Sequence, residues 1–290
     1  MGISGQLFRN SPRRQPIGKT TIVELATAHV TEAKKILGEE QSLHPEWADS
    51  IDNLIFPPEY EKRLEQEPFE ASYVFAASQF TRQSLINAGV KEEKIKYLPL
   101  CCNTSAISCD AEYKSIENRP LKVLYCGTVT QRKGVKYLLD AFRQIPKSTA
   151  ELHIIGGVQG SGKAFESYKD VYTYHGAMPQ NQLFKTYQEF DILVLPTVFE
   201  GFGLVIPEAM AAGLPVITTQ NSFGYEIINH HENGSIIPIR DTDAIIKEIL
   251  YFASLNNDSF NILRMAAKNS ADNYNRENFR QRIKDIICSI

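Results

Sequence analysis

The 290-residue chain contains no uninterrupted apolar run near the ~20 residues that a membrane-crossing helix requires. Its first residues are polar and lack the apolar centre of a secretory leader, so a cytoplasmic location is expected. Cysteine is sparse: Cys101, Cys102, Cys109, Cys126 and Cys288 fit no disulfide or zinc spacing, and reduced thiols are expected. No paired histidines accompany Cys101, Cys102 and Cys109, so no metal is expected there. An excess of one charge is also missing. A net charge of -3 excludes a nucleic-acid partner held by a bulk basic surface. The local exception is the cluster of Arg9, Arg13, Arg14 and Lys19. It reads as a solvated arm, with contact to an anionic membrane or a phosphate as the other reading. No internal repeat is evident. Asn103 and Asn233 lie in glycosylation sequons, which carry no meaning without secretion.

What is present is a soluble, globular composition, 43% apolar and 22% charged, at a length that accommodates two domains. From residue 121 short apolar runs alternate with amphipathic stretches. Strands are expected at 121–125, 152–155, 171–174, 192–195, 215–218 and 235–239. Helices are expected at 135–144, 182–189, 207–212 and 241–251, with Gly213 closing the third and Asp241 and Asp243 opening the fourth. Strands rich in Val, Ile and Leu between helices predict a doubly wound α/β domain, its parallel sheet covered on both faces. Ligands belong at the carboxyl ends of such strands. The first half is less regular, with strands expected at 21–25, 53–56, 73–77 and 95–98. Helices are expected there at 32–39 and 79–88, the second capped by Ser78. Residues 101–120 read as a linker. The expected division is an N-terminal domain over 1–115 and a C-terminal domain over 116–270. Further helices follow at 260–271 and 276–287, and segment 271–290 is expected to pack back on the first domain.

The densest local signal is the run from Phe199 to Gly213, in which Glu200 and Glu208 bracket Gly201-Phe202-Gly203-Leu204 directly after a strand. Glycines and the free amides of a helix start admit a phosphate, while carboxylates hold hydroxyls. Phosphate plus hydroxyls points to a sugar nucleotide. The loop of Gly127, Thr128, Arg132, Lys133 and Gly134 ends the first strand of the same half. Cations are disfavoured at a helix start, and a bound diphosphate would resolve that conflict. Glu208 alone is also explained as an acid in a first helical turn, and Glu200 as a loop carboxylate. His175 reads either as a structural imidazole at a strand end or, with the nearby Met178, as a substrate-binding candidate. His29 follows an early strand and is expected to face the cleft between domains, whereas His230-His231-Glu232 reads as exposed loop. Gly157 to Ala164 nearly matches a phosphate-binding loop, G-x-x-x-x-G-K-[ST]. Ala164 stands where a magnesium-binding hydroxyl is required, so a nucleotide triphosphatase is the weaker reading.

These motifs, in this order, resemble the retaining glycosyltransferases of family 4 (glycosyl transferases group 1). The likeness is carried by Gly127 with Arg132-Lys133-Gly134, by Glu200 to Leu204, by Glu208 to Ile217, by Gly224 with Glu226, and by Asn233-Gly234. More loosely, Ala77 to Thr81 and Leu98-Pro99 resemble the end of that family's first domain. The resemblance implies a GT-B fold of two Rossmann-like domains with parallel sheets, the N-terminal one incomplete here. It implies transfer of a sugar from a UDP-, GDP- or ADP-sugar to a glycan, lipid or protein acceptor, with retention of configuration and no metal or other cofactor. By matching position, Arg132 and Lys133 would bind the diphosphate, and the amides of Phe202, Gly203 and Leu204 the sugar or phosphate. Glu200 would touch the transferred sugar and Glu208 the ribose. Thr128 stands where many relatives carry arginine. The shortened first half leaves a non-catalytic donor-binding module as the alternative.

Overall fold

The computed structural model describes residues 19–51, 56–107 and 114–290. Arg9, Arg13, Arg14 and Cys109 lie outside them, as does the strand expected at 53–56 up to residue 55. The first sheet has three parallel strands, β1 (Ile22–Leu25), β2 (Tyr73–Ala76) and β3 (Ile95–Tyr97), in that order. Between β1 and β2 come α1 (Val30–Leu43), a 3₁₀ turn (Pro45–Ser50) and α2 (Pro58–Glu70). Between β2 and β3 lies α3 (Gln79–Asn87), capped by Ser78, whose hydroxyl accepts from the Thr81 amide as expected.

The second sheet has six parallel strands in the order β6-β5-β4-β7-β8-β9. They are β4 (Leu121–Cys126), β5 (Ala150–Ile155), β6 (Tyr172–Tyr174), β7 (Ile192–Leu195), β8 (Val216–Thr219) and β9 (Gly234–Ile237). The helices along this half are α4 (Val135–Phe142), α5 (Lys163–Glu166), α6 (Gln180–Thr186), α7 (Val205–Ala211), α8 (Gly224–Ile227) and α9 (Thr242–Ala253). Then come α10 (Asn257–Ala271) and α11 (Arg276–Ser289). Every residue of β7 and β8 is buried; β7 accordingly appears in the sequence as an unbroken apolar run, while β8 ends on the buried pair Thr218-Thr219. The strand order reverses between β4 and β7, the switch point where an open parallel sheet binds its ligand.

Hydrophobic packing divides the chain differently from its sheets. Val23, Val74, Ala76, Leu85 and Ile95 form a small cluster under the first sheet. Ile36, Leu37, Trp47 and Ile51, although they precede β2, pack into the large core around the second sheet. Glu40 of α1 anchors that attachment. It is fully buried and accepts from Gln131 Nε2, Tyr137 Oη and Arg240 Nε, each at 2.7 Å. Near the C-terminus, Tyr274 accepts from the Cys102 amide at 2.9 Å, which ties the start of the last helix to the segment linking the sheets.

Candidate active site

The loop leaving β4 is shaped by two glycines with positive φ. Gly127 (φ 137°) lies under the Lys133 side chain, and a Cβ there would sit 3.0 Å from Nζ. Gly134 (φ 68°) is in the left-handed region, and a Cβ on it would run into the Pro196 carbonyl. The loop after β7 is thereby pressed onto the loop after β4. The Arg132 carbonyl accepts from the amides of Val198 (3.1 Å) and Phe199 (3.2 Å) and from Thr197 Oγ1 (3.2 Å).

That interlock brings Arg132, Lys133 and Glu200 together. Glu200 Oε2 lies 3.3 Å from Arg132 Nη1 and 3.2 Å from Lys133 Nζ. Burial pushes the Glu200 carboxyl upward, but Lys133 and then Arg132 outweigh it and hold it below the usual carboxylate range. The two cations do not head an α-helix. They occupy a 3₁₀ turn (Gln131–Lys133) ahead of α4, with Glu200 as counter-ion. The dipole conflict expected from the sequence is thus met by a carboxylate within the chain.

Glu208 stands in the first turn of α7, 6% exposed, accepting from Gln180 Nε2 (3.0 Å) and Tyr187 Oη (3.3 Å). Burial raises its pKa against those two hydrogen bonds. Between the acids, Phe202 is buried in a stack with Phe223, centroids 4.1 Å apart. Gly203 has φ 78° and Leu204 is exposed. No backbone carbonyl among the described residues accepts from the Gly203 or Leu204 amide, so the turn offers donors at the start of α7. Gly201 abuts the end of β1, where a Cβ would strike the Ala26 carbonyl, so the carboxyl ends of the two sheets face each other here.

A second bridge crosses this cleft. Glu226 of α8 accepts from the Gln79 amide at the start of α3 (2.6 Å) and from Tyr97 Oη at the end of β3 (2.5 Å). Burial pushes its carboxyl up to about 7 despite those donors. Its motif was visible in the sequence, but its partners were not. Gln180 and Tyr187, which hold Glu208, carried no sequence signal at all.

The other candidates contact different partners. Thr128 is exposed, and its carbonyl accepts from Tyr125 Oη at 2.8 Å. His175 pairs with His153 (Nε2 to Nδ1, 3.0 Å), and Met178 packs against the core. The expectation for His29 needs correction. It is 2% exposed and serves α1: Nδ1 lies 2.8 Å from Thr31 Oγ1, Nε2 lies 3.4 Å from the Glu65 carbonyl, and its amide donates to Ser84 Oγ. Those contacts turn the ring into the first half of the chain rather than the cleft. The triphosphatase reading also fails. The Ser161 amide donates to the Asp49 carboxylate at 2.8 Å, so an anion of the chain already holds the loop that a phosphate would need. Cys102 and Cys126 are neutral thiols, each pushed up to about 12 by burial.

Residues 120–254 match the family model of the glycosyl transferases group 1. An O-antigen chain mannosyltransferase B of Escherichia coli is 28% identical over 216 residues, 69% of this chain and 56% of that protein. An uncharacterized glycosyltransferase of Methanocaldococcus jannaschii is 33% identical over 133 residues, 42% of this chain and 33% of the relative. The chain thus spans about half, or less, of the length of the curated relatives it matches. Among solved structures, a sucrose-phosphate synthase from Thermosynechococcus elongatus superimposes with a TM-score of 0.74 at 20% identity, covering 92% of this chain and 67% of that one. Anabaena HepE in complex with UDP and glucose gives 0.71 at 16% identity, covering 94% and 72%. These likenesses, with the two parallel sheets, show a GT-B fold.

Proposed function

We propose that this chain, through the group 1 glycosyl transferase domain of residues 120–254, moves a sugar from a nucleoside diphosphate to an acceptor hydroxyl with retention of configuration. The observation that carries this reading is the convergence of Arg132 and Lys133 on Glu200 at the switch point of the second sheet. Two cations beside unshared amides suit a diphosphate, and they stabilise it further as it departs with negative charge. Arg132 and Lys133 bind the diphosphate, with Gly127 and Thr128 beside it. The amides of Phe202, Gly203 and Leu204 contact sugar or phosphate, Glu200 takes a sugar hydroxyl, and Glu208 takes the ribose. The bond from the anomeric carbon to phosphate breaks as the acceptor oxygen attacks from the same face, and the acceptor proton passes to the leaving phosphate. No metal is required, because the protein cations and the start of α7 carry that role. The donor is a UDP-, GDP- or ADP-sugar and the acceptor a glycan, lipid or protein. A cytoplasmic site of action is part of the proposal; among the described residues no helix is long and apolar enough to cross a membrane.

A specific prediction follows from the competition between Glu200 and diphosphate for the same cations. Glu200→Gln should lower transfer about 100-fold or more, with nucleoside diphosphate affinity held or raised, as read by turnover and calorimetry. Equal loss of both would overturn the role of Glu200. The three strands that the first sheet has among the described residues favour one other reading, a donor-binding module without turnover. A panel of UDP-, GDP- and ADP-sugars with varied acceptors separates the two, and tight binding with no transfer would select the module.

A further inference from the structure

We propose that His230, His231 and Glu248 form a binding site for a divalent transition metal of the zinc class, independent of the sugar-nucleotide reading. One ligand atom from each residue lies within 4.8 Å of the other two. The site is at the opposite end of the second sheet from the cluster around Glu200. The histidines immediately precede β9, which runs parallel to β8, and so lie beyond the amino ends of the strands.

The ligands are held in place by the fold. The turn before β9 is locked by buried Asn233, whose Oδ1 accepts from the Asn229 amide (2.8 Å) and whose Nδ2 donates to the Ile227 carbonyl (3.0 Å) and Ser270 Oγ (2.9 Å). His231 takes φ 62° there, and its ring is stacked between His230 and Tyr251, with centroids 3.9 Å from each. The two imidazoles are stacked with their planes 27° apart, so His230, on the exposed side, turns about its side-chain torsions to aim a ring nitrogen at the ion held by His231 and Glu248. Glu248 of α9 is 4% exposed. Its Oε2 accepts from Ser235 Oγ at 2.6 Å and faces His231 Nε2 at 2.8 Å. Ser235 supplies the outer-shell hydrogen bond that orients a ligating carboxylate.

The chemistry selects the ion. Two neutral imidazoles and one carboxylate suit zinc, nickel or copper, and not magnesium or calcium, which prefer sets of oxygen ligands. Donors sharing one tetrahedral zinc at ~2.0–2.1 Å stand roughly 3.3 Å apart, so the His231–Glu248 pair opens only slightly to admit the metal. His230 gives up its stack on His231 and a long contact at 3.4 Å from the Ile236 amide to its Nδ1. The fourth position is open to water, because both histidines are exposed. The sequence reading of His230-His231 as plain exposed loop lacked Glu248, which the fold delivers from 17 residues away. Binding here fastens the turn before β9 to α9.

The test titrates the reduced, metal-free chain with Zn²⁺ by calorimetry and follows thermal unfolding. One zinc per chain and a raised Tm are expected. His230→Ala, at an exposed position that leaves the core intact, should weaken binding more than tenfold and abolish the Tm rise. Ser235→Ala should weaken it about tenfold through the outer shell. Absence of saturable binding, unchanged affinity in His230→Ala, or loss of binding in His175→Ala or Cys288→Ala instead would overturn the proposal.

Discussion

At Gly134 a single atom decides whether the two active loops meet. The residue combines φ 68° with a Cβ direction blocked by the Pro196 carbonyl, so alanine there is strained and also collides with backbone. Gly134→Ala should cost more than about 2 kcal/mol in urea unfolding and weaken nucleoside diphosphate binding with it, since the turn bearing Arg132 and Lys133 must move. Stability unchanged within error would refute the interlock. The carboxylates at this scale were legible as types but not as partners. Glu200 and Glu208 stood out by their spacing about a glycine turn, yet only the folded chain pairs Glu200 with both cations and buries Glu208 against Tyr187. His29 misled because a histidine after a strand looks the same whether it faces a cleft or caps a helix.

Among elements, α3, β3 and α8 are joined through Glu226. Its folded pKa of about 7 lies above that of an ordinary carboxylate, so the folded molecule retains a proton that the unfolded chain has released. The sign follows: this contribution is intact below the unfolded pKa and is lost as pH rises through about 7. Between pH 5 and 8 the wild type should lose about 1–3 kcal/mol more stability than Glu226→Gln, measured as unfolding midpoints at each pH. Parallel curves would exclude the effect. The central strand β7 was readable because both its faces are buried, which leaves the uninterrupted apolar run 192–195. By contrast α2 was unreadable: it is polar, opens after Pro57 at Pro58 and contains Pro68. Proline is tolerated in a first helical turn, so Pro58 marks the start of this helix and not a break.

For the whole molecule, a tie between distant parts of the chain joins the fully buried Glu40 of α1 to Arg240, Gln131 and Tyr137. Glu39 and Glu40 are adjacent acids; the spacing of Ala33, Ile36, Leu37 and Glu40 puts Glu40 on the buried face of α1, but nothing local shows its partner, because Arg240 lies 200 residues away. Glu40→Ala removes the buried acceptor shared by three donors, although Arg240 keeps Glu39 and the Ile36 carbonyl, and Tyr137 keeps His44. The substitution should destabilise by about 3 kcal/mol, with Glu40→Gln costing less, as read by chemical denaturation. A change under about 0.5 kcal/mol would show that the tie is dispensable. The same docking places Trp47, the one tryptophan of the chain, at 2% exposure in the large core, its ring 6.2 Å from that of Tyr168. Tryptophan fluorescence, excited at wavelengths the thirteen tyrosines do not absorb, is therefore a single-site optical signal. Its emission should be blue-shifted while the first segment stays seated, and should turn red when that segment alone lifts away. The fold thus carries its own spectroscopic reporter of that detachment, with no label added.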